Sequence, residues 1–119
     1  MNHLTLLIIE DCREVREYIA EEIEKIHEDI TVLIPSKLIE AHTVCCQEKA
    51  DLAFFDFDLS LWETTITGED LLEEYLEMSH ADLQSILSLS TSKEAFTKRK
   101  VKHIGRPGLI SLIQHHFDK

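Results

Sequence analysis

Basic residues, cysteines and long apolar runs are scarce in this sequence of 119 residues, and each shortage excludes a class of protein. Lysine and arginine together number 12 against 23 aspartates and glutamates, which gives a formal net charge of −11. A charge of this sign repels phosphate backbones and anionic lipid, so nucleic acid and membrane surfaces are poor partners for the isolated chain. No apolar run approaches the ~20 residues that are needed to span a bilayer.

The amino terminus and the cysteines give no sign of secretion. The first residues, Met-Asn-His-Leu-Thr, lack the basic flank and cleavage site of a signal peptide. The three cysteines, Cys12, Cys45 and Cys46, are an odd number, which argues against a disulfide framework. Cys45 and Cys46 are adjacent on a predicted helix and face different directions, so we interpret this pair as packing residues. We therefore expect a cytoplasmic protein.

What the sequence contains is a regular alternation of apolar, strand-like runs with helical patterns, without a repeat or a linker. Continuous apolar runs indicate strands that are buried on both faces, as in a parallel sheet covered by helices on each side. We therefore predict a single α/β domain over residues 1–119, built on a five-stranded, doubly wound parallel sheet. Its strands are predicted over residues 4–9, 30–34, 52–57, 83–89 and 101–104.

Helical patterns fill the connections between these strands. Apolar residues recur at helical spacing over residues 13–28. Ser36 is the expected cap of a second helix that runs to about residue 49, and Thr67 is the expected cap of a third. Thr91 could cap a helix in the short, basic segment over residues 93–100. Residues 105–108 are predicted to form a turn before the last helix.

Polar residues follow four of the predicted strands, at the point where each strand ends. They are Glu10-Asp11, Asp56-Phe57-Asp58, Ser90-Thr91 and Arg106-Pro107. Because ligand sites of doubly wound folds lie beyond the carboxyl ends of the strands, we expect these residues to converge there.

The chemistry of these residues is coherent. Carboxylates that lie close together repel one another unless a cation neutralises them, and Mg²⁺ prefers oxygen ligands. A carboxylate such as Asp56 can act as a nucleophile and form an aspartyl phosphate. A metal and a cation such as Arg106 would stabilise the transferring oxygens, and the hydroxyl of Ser90 could hydrogen-bond the phosphoryl group.

At this point the whole chain resembles the receiver domains of response regulators, which have a flavodoxin-like fold. Ile8-Ile9-Glu10-Asp11 is similar to the acidic pair of that family, which places Mg²⁺, and the strand that ends in Asp56 is similar to its phosphoacceptor strand. The resemblance implies that Asp58 offers its backbone carbonyl to the metal. It further implies that Ser90 is the Ser/Thr switch, and that His103 lies at the aromatic switch position, where we interpret it as an ordinary strand residue.

The resemblance also implies a function, namely Mg²⁺-dependent phosphorylation of Asp56 in two-component signalling. The expected donor is a histidine kinase or a phosphotransfer domain, and the expected output is contact with a downstream protein. Beyond its own phosphorylation and dephosphorylation, no enzymatic activity is expected.

Three features depart from the pattern of the family. Arg106, followed by Pro107, replaces the usual Lys of a Lys-Pro pair whose peptide bond is often cis. The loop after Asp56 is longer than usual, and its Trp62 is either a partner contact or a lid over the site. The stretch from Ser90 to Arg106 is short, so the fourth helix is expected to be short or remodelled.

Two other functions are compatible with the same residues. The chain could be a receiver-like binding module that is never phosphorylated. It could also be a Mg²⁺-dependent enzyme, since Asp56 and Asp58 suit a phosphatase of the haloacid-dehalogenase kind or, together with Glu10, a Toprim-type nuclease. The acidic charge of the chain argues against the nuclease.

Overall fold

A parallel sheet forms the centre of the computed structural model, which describes residues 3–90, 96, 99 and 101–118. The strands of the described residues are β1 (Leu4–Ile9), β2 (Ile30–Leu33), β3 (Leu52–Phe55), β4 (Ile86–Ser88) and β5 (Lys102–His103). They lie in the order β2-β1-β3-β4-β5, and every neighbouring pair is parallel. The predicted five-stranded, doubly wound sheet is therefore confirmed.

Helices cover both faces of this sheet. Within the described residues they are α1 (Arg13–Glu24), α2 (Leu38–Gln47), α3 (Gly68–Ser79) and α4 (Gly105–Phe117), with short 3-10 turns over Ser60–Trp62 and Leu83–Ser85. None of the helices in the described ranges is long and apolar enough to cross a membrane.

Alternate residues of β1 feed two separate hydrophobic cores. Leu7 and Ile9 pack in the core that contains buried residues of α2 and α3. Leu6 and Ile8 pack in the core that contains buried residues of α1 and α4. Because successive side chains of a strand point to opposite faces, a strand with apolar residues at every position is buried on both sides. The continuous apolar pattern of residues 6–9 therefore corresponds to a strand segment that is buried on both faces.

The start of α3 follows the sequence prediction. Thr67 is its N-cap, and the Thr67 hydroxyl accepts a hydrogen bond from the Asp70 N–H (3.4 Å). In return, the Asp70 carboxylate accepts one from the Thr67 N–H (2.8 Å). This capping box satisfies two backbone donors that a helix terminus otherwise leaves without partners.

Two other helix boundaries differ from the predictions. The first helix ends at Glu24 rather than at residue 28, and His27 adopts a left-handed backbone conformation (φ 56°) that a helix cannot continue through. The N-cap of α2 is Lys37 rather than Ser36. The hydroxyl of Ser36 instead donates to the Glu40 carboxylate (3.4 Å).

The predicted turn over residues 105–108 was also wrong, because these residues form the first turn of α4. Pro107 is tolerated there since the first N–H groups of a helix have no partner within it. Gly105 supplies the left-handed conformation at the entry (φ 70°). The peptide bond between Arg106 and Pro107 is trans, unlike the cis bond that is often found in the Lys-Pro pair of the resembled family.

Strand β4 is shorter than predicted at its beginning. Residues Leu83–Ser85 form a 3-10 turn instead of a strand. The Asp82 carboxylate accepts a hydrogen bond from the Gln84 N–H (3.0 Å), and the Ser85 hydroxyl donates to the Asp82 carbonyl oxygen (2.7 Å). Such local bonds compete with the sheet ladder, which explains why the apolar pattern alone overestimated the strand.

The predicted short or remodelled fourth helix over residues 93–100, with Thr91 as its cap, lies outside the described residues except at two positions. Phe96 packs edge-on against Phe57, with ring centroids 5.5 Å apart. Arg99 makes a bidentate ion pair with Glu73 of α3 (2.7 and 2.9 Å). These two contacts connect Phe96 and Arg99 to the rest of the fold.

Gly68 allows α3 to start directly against the backbone of Asp56. The Gly68 N–H donates to the Phe57 carbonyl oxygen (2.7 Å). A Cβ atom at Gly68 would overlap with the Asp56 carbonyl oxygen and would lie 2.8 Å from its carbonyl carbon. Because both are backbone atoms, no side-chain rotation relieves the clash.

We predict that Gly68→Ala lowers the free energy of unfolding by about 1–3 kcal/mol, as overpacked sites do. Urea denaturation of the purified protein measures the change. The matched control is Gly108→Ala in α4, where the nearest atom to an added Cβ belongs to the Ile104 side chain (3.1 Å). A loss at Gly68 no larger than that at Gly108 would contradict the prediction.

Candidate functional site

Three buried carboxylates meet at the carboxyl ends of β1 and β3. The exposed fractions of Glu10, Asp11 and Asp56 are 0%, 8% and 7%. One ligand atom from each side chain lies within 4.8 Å of the others, so the three could hold one metal ion. The Asp56 N–H donates to the Ile9 carbonyl oxygen (2.9 Å), which brings the end of β3 beside the end of β1.

Backbone N–H groups orient each of these carboxylates. Glu10 Oε2 accepts from the Cys12 N–H (3.2 Å), and Asp56 Oδ1 accepts from the Phe57 N–H (3.0 Å). Asp11 Oδ2 accepts from the N–H of Leu61, which lies in the long loop after β3 (2.8 Å). The loop is therefore part of the site, because its backbone fixes one of the carboxylates.

Arg106 reaches into the same cluster from the first turn of α4. Its guanidinium contacts Glu10 Oε1 through Nε (3.0 Å) and through a terminal nitrogen (2.8 Å). The same terminal nitrogen lies 3.4 Å from Asp56 Oδ2. The shortest contacts of Arg106 are thus with Glu10, and its contact with Asp56 is longer.

The electrostatics of the cluster are unfavourable for three ionised carboxylates. Burial, and then the neighbouring charge of Asp56, raise the pKa of Glu10 to about 7, although Arg106 acts in the opposite direction. Burial also raises the pKa of Asp56, against the lowering effects of Arg106 and of the Phe57 N–H. One guanidinium therefore does not balance the buried negative charge, and an all-oxygen donor set of this kind fits Mg²⁺.

Ser90, Asp58 and Leu61 join these groups around a cavity of about 500 Å³. Ser90 is 6% exposed and follows the end of β4, as predicted. The residues that the sequence predicted for the site thus lie together around one cavity, at the edge of the sheet where they were expected. The cavity is lined by Glu10, Asp11, Cys12, Asp56, Phe57, Asp58, Ser60, Leu61, Ser90 and Arg106.

The Asp58 side chain lies outside the cluster of three carboxylates. It is exposed, and its Oδ1 accepts a hydrogen bond from the Ser60 N–H (2.9 Å). This bond holds the pKa of Asp58 below its usual value. A general acid needs the opposite shift, so the geometry does not favour Asp58 as the proton donor of a phosphatase. The metal role that the resemblance implied for Asp58 belongs to its backbone carbonyl and does not involve this side chain.

The long loop contributes to the site through Leu61 rather than through Trp62. The indole N–H of Trp62 donates to the Ser36 carbonyl oxygen (3.1 Å), and its ring packs against the core on the side of α2 and α3. Leu61 lines the cavity, and 66% of its surface is exposed. Sequence reasoning missed Leu61 because its contribution is a backbone N–H group, which every non-proline residue carries.

His103 lies in β5 opposite Ser88 of β4, and its ring is partly buried. Its Nδ1 atom is buried without a hydrogen-bond partner among the residues that the structure describes. It does not line the cavity that holds Asp56.

Known proteins resemble this chain in structure but not in sequence. No protein-family model matches the sequence, and no curated protein does. The chemotaxis protein CheY4 of Vibrio cholerae matches with a TM-score of 0.72 at 14% identity, covering 96% of this chain and 98% of its own. The chain has the receiver-domain fold. A CheY-like receiver domain protein of Methanospirillum hungatei also matches, with a TM-score of 0.67 at 18% identity over 98% of this chain and 95% of its own.

A third similar structure is the receiver domain of a sensor histidine kinase from Pseudomonas aeruginosa. Its TM-score is 0.71 at 14% identity, and the match covers 99% of this chain and 100% of that one. That domain was crystallised with a magnesium ion coordinated in its active-site cleft. At this level of identity the likeness establishes the receiver-domain fold of the chain.

The raised pKa of Glu10 predicts how the stability of the metal-free protein changes with pH. Between about 4.5, the ordinary value, and about 7, the folded chain holds a proton at Glu10 that the unfolded chain has released. Stability therefore falls as pH rises through this window. We expect the stability of Glu10→Gln to fall less than that of the wild type over this window, because only the contribution of Asp56 remains. The loss of stability between pH 4.5 and pH 8 should be smaller in Glu10→Gln by about 1–3 kcal/mol.

Urea unfolding in the presence of EDTA, at pH 4.5 and at pH 8, measures this difference. Glu28→Gln is a matched control, since Glu28 is exposed and lies outside the carboxylate cluster. If wild type and Glu10→Gln lose the same stability between the two pH values, the burial of an unfavourable charge at Glu10 is refuted.

Proposed function

We propose that residues 1–119 form one receiver domain of a two-component system, in which Asp56 accepts a phosphoryl group in the presence of Mg²⁺. The observation that carries the proposal is the meeting of Glu10, Asp11 and Asp56 within 4.8 Å at the carboxyl edge of a receiver-type sheet. Ser90 and Arg106 line the same cavity, so a residue with a hydroxyl and a residue with a positive charge border the space that a phosphoryl group would occupy.

The position of Asp56 at the edge of the cavity supports phosphoryl transfer to its side chain. An Asp56 carboxylate oxygen attacks phosphorus in a phosphohistidine, the bond from phosphorus to the imidazole nitrogen breaks, and the imidazole keeps the electron pair and takes up a proton. The hydrogen bond from the Phe57 N–H to Oδ1 leaves Oδ2 turned toward Arg106, on the side of the cavity. Oδ2 is therefore the atom that we assign as the nucleophile.

The metal ligands that we propose are the carboxylates of Glu10, Asp11 and Asp56 and the backbone carbonyl of Asp58. Mg²⁺ held there would neutralise charge on the carboxylates and on the phosphoryl oxygens. The protein residues supply the rest. Arg106 and the Ser90 hydroxyl contact phosphoryl oxygens, while the Leu61 and Cys12 N–H groups keep Asp11 and Glu10 in place. Later attack by water on the acyl phosphate returns Asp56 and inorganic phosphate.

The partners of this domain are proteins. The donor that we propose is a histidine kinase or a phosphotransfer domain in the cytoplasm, and the output is contact with a downstream protein. The net charge of −11 disfavours nucleic acid and anionic membrane as partners for these 119 residues. We propose no catalytic turnover beyond phosphorylation and dephosphorylation of the domain itself.

One observation favours a second candidate, a receiver-like binding module that is not phosphorylated. The Arg106 guanidinium lies between Glu10 and Asp56 and already neutralises part of their charge. A site closed by this ion pair can be stable without metal and without a phosphoryl group. The two candidates differ in whether Asp56 reacts.

We expect acetyl phosphate with Mg²⁺ to add one phosphoryl group to the wild-type protein. Intact-mass spectrometry detects the adduct, and fragmentation after borohydride trapping locates it at Asp56. Asp56→Asn should abolish the adduct, because an amide oxygen is too weak a nucleophile to replace the carboxylate.

Asp58→Asn is the matched control, since it alters a carboxylate two residues away and leaves the backbone carbonyl in place. It should retain the adduct. Complete absence of an adduct on the wild type, together with no binding of beryllofluoride, would favour the binding module. Steady phosphatase turnover by the wild type that is lost in Asp58→Asn would instead support the hypothesis of a Mg²⁺-dependent phosphatase.

A further inference from the structure

Arg106 holds an unusual position for a cation. It lies in the first turn of α4, where the partial positive charge of a helix terminus disfavours a basic side chain. Its side chain is nevertheless largely buried, with 30% of it exposed. The guanidinium lies against two almost fully buried carboxylates, those of Glu10 and Asp56. The attraction of Glu10 and Asp56 therefore decides where the guanidinium lies.

The contacts of Arg106 use oxygens that a metal would need. Glu10 Oε1 accepts from two nitrogens of Arg106 (3.0 and 2.8 Å), and Glu10 Oε2 accepts from the Cys12 N–H. Both oxygens of Glu10 are thus already engaged. Asp56 Oδ2 also faces the guanidinium, at 3.4 Å.

We propose that Arg106 is the resident counter-ion of this site and that it limits the affinity of the site for divalent cations. The guanidinium has to leave Glu10 before that carboxylate can serve as a metal ligand, so each metal-binding event includes the cost of breaking a partly buried ion pair. Arg106 would also repel the arriving cation, because like charges that are close together in a protein interact strongly.

The identity of the side chain is important for this competition. A planar guanidinium offers several N–H donors in a fixed fork and grips a carboxylate through more than one of them, whereas an ammonium is a point charge on a flexible stem. Arg106 uses two of its nitrogens on Glu10. We therefore expect Lys at this position to compete less strongly than Arg and more strongly than a neutral residue.

The inference rests on the metal site of the proposed function, and binding of the metal alone tests it. Isothermal titration calorimetry with MgCl₂ gives the dissociation constant, and the electron paramagnetic resonance signal of free Mn²⁺ gives an independent value. We expect Arg106→Met to bind Mg²⁺ at least about tenfold more tightly than the wild type, with Arg106→Lys between the two. Arg106→Gln serves as a second neutral variant if Arg106→Met does not fold.

Arg13→Met is the matched control. It removes one positive charge, as Arg106→Met does, but Arg13 is exposed and pairs with Glu17 on the surface of α1. Its Mg²⁺ affinity should stay within about twofold of the wild type, because surface charges are well screened by salt.

A dissociation constant for both neutral Arg106 variants within twofold of the wild type would overturn the inference. If Asp56 of the wild type is still phosphorylated in that case, the proposed function stands and only the role of Arg106 as a competitor is lost. If the neutral variants gain affinity but Asp56 never forms an adduct, the competition is supported and the phosphoacceptor function fails.

Discussion

The structure depends on one constraint, which is that three almost fully buried carboxylates have to coexist next to one another. Glu10, Asp11 and Asp56 converge because the sheet is parallel and its carboxyl ends share one edge. Their mutual repulsion is large where the dielectric constant is low. The backbone N–H groups that orient these carboxylates and the guanidinium of Arg106 offset part of that repulsion.

This constraint links parts of the chain that are far apart in sequence. Arg106 is 96 residues from Glu10, and Leu61 is 50 residues from Asp11. In the proposed function, Mg²⁺, the phosphoryl group and the Arg106 guanidinium would all contact carboxylate oxygens of this one cluster. Phe57 follows Asp56 and packs edge-on against Phe96, so Phe96 also contacts the immediate neighbour of Asp56.

The sequence predicted the sheet and the edge at which the site lies, because burial on both faces leaves continuous apolar runs and the polar residues that follow them mark the strand ends. The cap of α3 was also predictable, since Thr67 and Asp70 carry a local signal. The pairing of Arg106 with Glu10 was not, because a contact between distant residues has no local pattern. The helical turn at Gly105 was missed for another reason, as glycine and proline favour turns and helix starts alike.

The junction at Gly68 has a consequence for how such a domain can vary. The hydrogen bond from the Gly68 N–H to the Phe57 carbonyl closes the loop between β3 and α3 at its base, independently of what the loop contains. The entropic cost of lengthening a closed loop grows only with the logarithm of its length. Residues can therefore be inserted between Phe57 and Gly68 at a small entropic cost, while β3 and α3 are held by their own junction. Because the Leu61 N–H in this loop also orients Asp11, an insertion that keeps that hydrogen bond can add new binding contacts above the carboxylate cluster.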